Sequence, residues 1–292
     1  MLTRRFDHFV AIDWSGARGT RHKGIALAVA SGAAAPTLLR PSHIWSRQEV
    51  LDWLFQQCNQ QANMLIGFDF SSGFAFLDQG AYFPQWDASP RGIRNLWAMV
   101  DSMCQSDADL SAASFLAHPD AHRHFRHGGG VVGDLFGQGG GRLRRVEHHQ
   151  RATGQAASVS SFNLVGAAQV GKASLSGMRV LHHIHPHIPL WPLDPMPASG
   201  PMLVEIYTSL AARAALLPKG RSKIRDIGLL QQALSNLGSP AVKHIGALTD
   251  HQSDAILTAA WMRKMAENEQ YWSPAPLTNE IAAQEGWTFG II

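Results

Sequence analysis

The stretch Phe9-Val10-Ala11-Ile12-Asp13-Trp14-Ser15-Gly16 sets a short apolar run against an acid and a glycine-ended turn, the signature of a strand delivering a carboxylate to a loop. Residues 24 to 30 alternate through Ile25, Leu27 and Val29 as a half-buried second strand, and Thr37-Leu38-Leu39 reads as a third. The chain therefore opens as a meander of hairpin-linked strands. Ser46 and Glu49 have capping-box spacing, and Val50, Leu51, Leu54 and Phe55 share one helical face, so a helix is expected from Ser46 to about Gln61. Met64-Leu65-Ile66-Gly67-Phe68 is continuously apolar, as in a strand buried on both faces, and it also ends in an acid, Asp69.

Beyond Ala75 the pattern weakens until Gly200, apart from a helix over Arg91 to Met103 carried by Ile93, Leu96, Trp97 and Val100. Met202-Leu203-Val204-Glu205-Ile206-Tyr207 restores a strand and carries a third acid. Helices are expected over Ser209 to Leu217, over 221 to 237, and from Thr249-Asp250 to about Glu267. The whole, residues 1–292, reads as a single α/β domain with an irregular, partly helical insertion over 75–200.

Composition agrees with a folded, water-facing molecule. Charged residues are 16% and hydrophobic ones 45% of 292 residues, enough apolar material for a large core and against global disorder. The net charge of +3 tolerates a polyanionic partner without requiring one. Cys58 and Cys104, the only cysteines, make no disulfide framework and suit a reducing compartment, so a cytoplasmic location is expected. No apolar run approaches the roughly 20 residues that span a bilayer, and no signal peptide is read at the N-terminus.

Three apolar strands thus carry an acid at or near their C-terminal ends: Asp13, Asp69 and Glu205. If those strands run parallel, the acids meet at the sheet edge where open α/β folds place their ligands. Asp250 and Asp254 join from one face of the last helix. Such crowding is costly, because two carboxylates about 5 Å apart repel by roughly 3 kcal/mol at an effective dielectric near 20. A hard divalent cation relieves the repulsion, so Mg²⁺ or Mn²⁺ is the expected cofactor, and a pair of such ions supports phosphodiester hydrolysis. The bland readings are turn formation for Asp13 and Asp69 and helix capping for Asp250. Glu205, inside an apolar strand, is harder to dismiss because an unpaired buried carboxylate is unfavourable.

The order of these elements resembles the ribonuclease H-like fold. More narrowly, Ala11-Ile12-Asp13-Trp14-Ser15-Gly16, Ile66-Gly67-Phe68-Asp69-Phe70-Ser71, Val204-Glu205-Ile206-Tyr207 and His251-Gln252-Ser253-Asp254-Ala255-Ile256 resemble segments of the domain-of-unknown-function family numbered 429, described as predicted RNase H-like nucleases. Residues 165–171 and Glu285-Gly286-Trp287-Thr288-Phe289 are similar to further segments of it. The resemblance implies a mixed five-stranded sheet of order 3-2-1-4-5 flanked by helices, and an acid tetrad of Asp13, Asp69, Glu205 and Asp254. By the same resemblance Asp13 bridges two ions, Asp69 and Asp254 each hold one, and Glu205 is a further ligand or a base.

Between Ala121 and Arg151 lie six Arg, five His, two acids and two Gly triplets. A basic flap holding phosphates, with Arg142, Arg144 and Arg145, competes here with a solvated loop. His118, His122, His124 and His127 lack the cysteine partners of a zinc site, and His182, His183, His185 and His187 are expected in turns or a strand among prolines. Gln169 and Lys172 follow a glycine-punctuated run that suits a phosphate. The expectation is a metal-dependent nuclease with nucleic acid as partner. The alternatives are an actin-like or sugar-kinase-type phosphotransferase and a non-catalytic binding module of the same fold. Bulky Trp14 after Asp13 speaks against the kinase.

Overall fold

A computed structural model describes residues 5–166, 169–217, 223–243 and 246–292. In chain order the elements are β1 (His8–Asp13), β2 (Ala26–Ser31), β3 (Thr37–Leu38), α1 (Arg47–Asn59), β4 (Met64–Phe68), α2 (Ile93–Met103), α3 (Ala113–Ala117), α4 (Pro119–His122) and α5 (Arg145–Ala152). There follow α6 (Val170–Ile184), β5 (Leu190–Trp191), β6 (Met202–Glu205), α7 (Thr208–Ala214), α8 (Ile227–Asn236), α9 (Asp250–Met265) and α10 (Asn279–Gln284). The strands form one mixed sheet in the order β3-β2-β1-β4-β6-β5. β1 pairs antiparallel with β2 and parallel with β4, and β4, β6 and β5 continue in parallel. The sheet has six strands where five were expected. The extra one, Leu190-Trp191, is too short and too close to Pro192 to show a strand period.

Helices cover both faces because successive side chains of a strand point to opposite sides. On one side Val10, Ile12, Ile66, Phe68 and Leu203 join the apolar cluster beneath α1, α2 and α6. On the other Phe9, Ala11, Leu65, Met202 and Val204 pack with the residues of α7, α8 and α9. The capping box of α1 is formed as read, Glu49 N donating to Ser46 Oγ at 3.1 Å and Ser46 N to Glu49 Oε2 at 2.8 Å. The helix expected over 221 to 237 begins at Ile227, and residues 221 and 222 lie outside the described ones.

The largest departure is α6. Its fifteen residues were read partly as a phosphate loop and, through His182 and His183, partly as turns or strand, yet they form a helix packed on α1 and α2. Its glycines and serines weaken the helical signal, but they are what lets it approach. A Cβ on Gly177 would stand 2.5 Å from the Phe70 ring. A Cβ on Gly16, in the turn after Asp13, would stand 2.3 Å from the backbone N of Ala173.

Candidate functional site: three carboxylates at the sheet edge

Strand parity decides which acids meet. Asp13, an odd-numbered residue of β1 like Phe9 and Ala11, projects towards α9. Asp69 continues β4 by one residue, its N–H donating to the Ile12 carbonyl at 3.0 Å, and shares that side with Leu65. Asp254 lies one turn into α9, half-buried, and α9 packs on β1 and β2. β6 runs in the opposite parity: Phe68 pairs with Glu205, so Met202 and Val204 face α9 and Glu205 faces away from it. The structure brings Asp13, Asp69 and Asp254 together; Glu205 points away from α9 and onto Arg144, although it lines the same cleft.

Glu205 is fully engaged there. Its Oε1 accepts from Arg144 Nη2 at 2.6 Å and Thr288 Oγ1 at 2.6 Å. Its Oε2 accepts from Ser72 N at 2.7 Å, Ser72 Oγ at 2.8 Å and Arg144 Nη1 at 2.8 Å. A carboxylate offers about four lone-pair directions, so none is left over for a cation. Burial alone would push the Glu205 carboxyl up, but the Arg144 charge and the Arg144, Thr288 and Ser72 hydrogen bonds outweigh it and hold the group below its usual value. Arg144 also reaches Glu147 at 2.7 Å, and burial raises the Glu147 carboxyl despite that contact. One guanidinium thus serves two buried acids whose proton affinities are shifted in opposite directions. The assignment of Glu205 as ligand or base gives way to that of a structural ion pair.

The three acids that do meet show their crowding as proton affinity. Burial raises Asp13, with Asp250 adding to the rise and His251 opposing it. Asp69 is raised well above the usual range by burial first and then by Asp13 and Asp254. Burial and then Asp13 push Asp254 up to about 7. Neighbours hold these groups in place: Asp13 Oδ2 lies 3.3 Å from His251 Nδ1, and Thr208 N donates to Asp69 Oδ1 at 3.3 Å. The hydrogen bond to Asp13 raises His251 in return, which favours the imidazolium beside the acids. Asp250 begins α9 behind the Thr249 cap and is drawn off by Lys223 and Arg225, each 3.3 Å away, which keep it ionised against its burial. Asp250 is therefore paired by cationic side chains and is not a member of the acid group.

The turn after Asp13 is fastened from two sides. Arg47, fully buried in α1, donates to the carbonyls of Ser15 at 2.9 Å and Ala17 at 2.6 Å, and Trp14 Nε1 donates to Ser176 Oγ of α6 at 3.0 Å. A cleft of about 620 Å³ opens over Asp69 and Asp254, lined by this turn, the starts of α6 and α7, residues 157–159, part of α9 and the Arg144, Glu147 and Glu205 side chains. Gln169 and Lys172 lie on its wall, as read from the sequence. Arg142 does not. It is buried against Asp78 at 2.6 Å and the carbonyls of Tyr82, Ala81 and Ala75, and Arg144 is spent on Glu205 and Glu147. Arg145 is exposed but outside the cleft. The basic flap is thus corrected to an anchored segment whose arginines satisfy carbonyls and acids inside the protein, with Phe125, Phe136 and Phe162 in the core beside them. Among the histidines of that segment, His124 is buried and pushed down to about 4 by burial and the nearby arginines.

Among the described residues no three His, Cys, Asp or Glu side chains stand in an arrangement that holds a metal ion. The chemistry of the donors nevertheless fits a hard dication, since Asp13, Asp69 and Asp254 are oxygen ligands whose mutual repulsion such an ion relieves. His251 and Thr208 were not singled out in the sequence. His251 had one signal, its place between Asp250 and Asp254, whereas the Thr208 contact depends on where α7 starts. In comparisons with protein-family models, curated proteins and solved structures, nothing matches this chain, so the resemblance to a family rests on its short motifs alone.

Proposed function

We propose that the sheet is ribonuclease H-like and that the chain is a Mg²⁺- or Mn²⁺-dependent nuclease hydrolysing phosphodiester bonds of nucleic acid. The observation that carries the reading is the meeting of Asp13, Asp69 and Asp254, from three separate elements, at the C-terminal edge of the parallel strands with raised proton affinity. Asp13, Asp69 and Asp254 would hold the cation, which when bound supplies charge neutralisation and a more acidic water. His251 orients the Asp13 carboxylate, Thr208 orients that of Asp69, and Lys172, in the same cleft, offers a cation to a phosphate.

The test is a panel of labelled single- and double-stranded DNA and RNA incubated with Mg²⁺, Mn²⁺ or EDTA. Wild type should cut at least one substrate only when a cation is present. Asp13→Asn, with native circular dichroism, should lower that activity by about 100-fold or more, the scale of losing one principal electrostatic stabiliser. Cleavage that persists in EDTA, or in Asp13→Asn, would refute the mechanism.

A further inference from the structure

The shape of the cleft restricts what reaches the three acids. Asp69 and Asp254 line it half-buried and Asp13, 6% exposed, lies beside them, so a phosphodiester reaches the acids through the cleft. The volume of about 620 Å³ is that of a site for a small ligand, within the usual range of about 300–1,000 Å³. One wall is closely packed: Gly16 presses on the backbone of α6 so that a Cβ would stand 2.3 Å from Ala173 N, and Trp14 is tied to Ser176. A duplex keeps its bases stacked and paired, so it cannot place a base in a cleft of this size without unpairing. A single strand or a strand end can enter.

The walls also supply what a single strand uses. Tyr207 lines the cleft half-buried, immediately before Thr208, whose N–H and hydroxyl face Asp69. Lys172 lies on the wall formed by α6. An aromatic ring, a cation and acids lining one cleft are the groups by which single strands are held, base on ring and phosphate on charge.

We infer that the cleft takes single-stranded nucleic acid, about one or two nucleotides at a time, with a base against Tyr207 and the adjoining phosphate between Lys172 and the acids. This rests on the nuclease reading above and gives it a substrate class. The experiment measures fluorescence anisotropy of labelled oligonucleotides with Ca²⁺ present: a single strand, a blunt duplex, and a duplex carrying a single-stranded overhang. The single strand and the overhang should bind about tenfold or more tighter than the blunt duplex. Tyr207→Leu, which keeps apolar bulk, should weaken single-strand binding about five- to tenfold, and Tyr207→Phe should keep it. Equal binding of the blunt duplex, or unchanged binding by Tyr207→Leu, overturns the inference. Cleavage of the same oligonucleotides with Mn²⁺ separates the two ideas. A blunt duplex cut as readily as a single strand removes the strand preference and leaves the nuclease. Single-strand binding with no cleavage removes the nuclease and leaves the binding preference. If none of the three binds, both are overturned.

Discussion

Asp254 shows most directly what the crowding of acids does to the folded protein. Its carboxyl is pushed from an ordinary 3.8 to about 7 by burial and by Asp13. The native chain therefore keeps a proton that the unfolded chain has already lost. Its contribution to stability is complete below 3.8, falls as pH rises through the window up to about 7, and stays lost above it. Asp13 and Asp69 are shifted the same way, while Glu205, held below its usual value, acts in reverse and only in acid. In EDTA, the melting temperature should rise as pH is lowered from 8 towards 5.5. Asp254→Asn should raise it at pH 8, by roughly 4–8 °C for a relief on the order of 2 kcal/mol. Millimolar Mn²⁺ at pH 8 should raise the melting temperature of wild type and not of Asp254→Asn. A variant that melts lower than wild type at pH 8 in EDTA would show that the three acids do not repel one another.

At the scale of an element, α6 trades helical propensity for closeness. Alanine favours a helix interior over glycine by about 1 kcal/mol, so Gly177→Ala would stabilise an isolated helix. Here the added methyl would lie 2.5 Å from the ring of Phe70, which packs against Trp14 and Phe68. Overpacking of this kind costs about 1–3 kcal/mol, so Gly177→Ala should lower the midpoint of chemical denaturation, with the sign opposite to propensity. Because Trp14 follows Asp13, the same substitution should also lower nuclease activity per folded molecule. A midpoint that rises would mean that α6 does not press on Phe70 as described.

Across the whole molecule, the C-terminal segment closes the structure. Thr288 bonds Glu205, and Glu285 accepts from the backbone N–H groups of Phe76, Leu77 and Arg145 while its carbonyl accepts from Arg144. Trp287, Phe289 and Ile291 are fully buried with α9 and the strands on that face. Truncation after Gln284 should leave the Arg144 network incomplete and expose that apolar surface. A single large side chain taken from a core already costs about 3–5 kcal/mol, so the truncated chain should be insoluble or lose its cooperative thermal transition. A truncated chain that melts cooperatively near the wild-type temperature would contradict this account.

Much of this was legible in the residues themselves. The apolar runs ending at Asp13 and Asp69, the Ser46 capping box and the spacing of α9 depend on periodicity and local hydrogen bonds, which a short stretch of chain expresses alone. That is why Asp13 and Asp69 stand out at strand ends, and Asp254 on the face of the last helix, in the sequence itself. The face on which Glu205 emerges was not legible. A strand looks the same in either register, and only the pairing of Phe68 with Glu205 turns its carboxylate away from α9 and onto Arg144. The same holds for α6, whose glycines and serines read as a loop until Phe70 and the turn after Asp13 lie against them. The arginines of the insertion looked like a phosphate-binding surface because charge in a sequence carries no address. Tertiary structure supplied one by surrounding Arg142 and Arg144 with carbonyls and acids, partners that, Glu147 apart, come from sixty or more residues away and that no local pattern encodes.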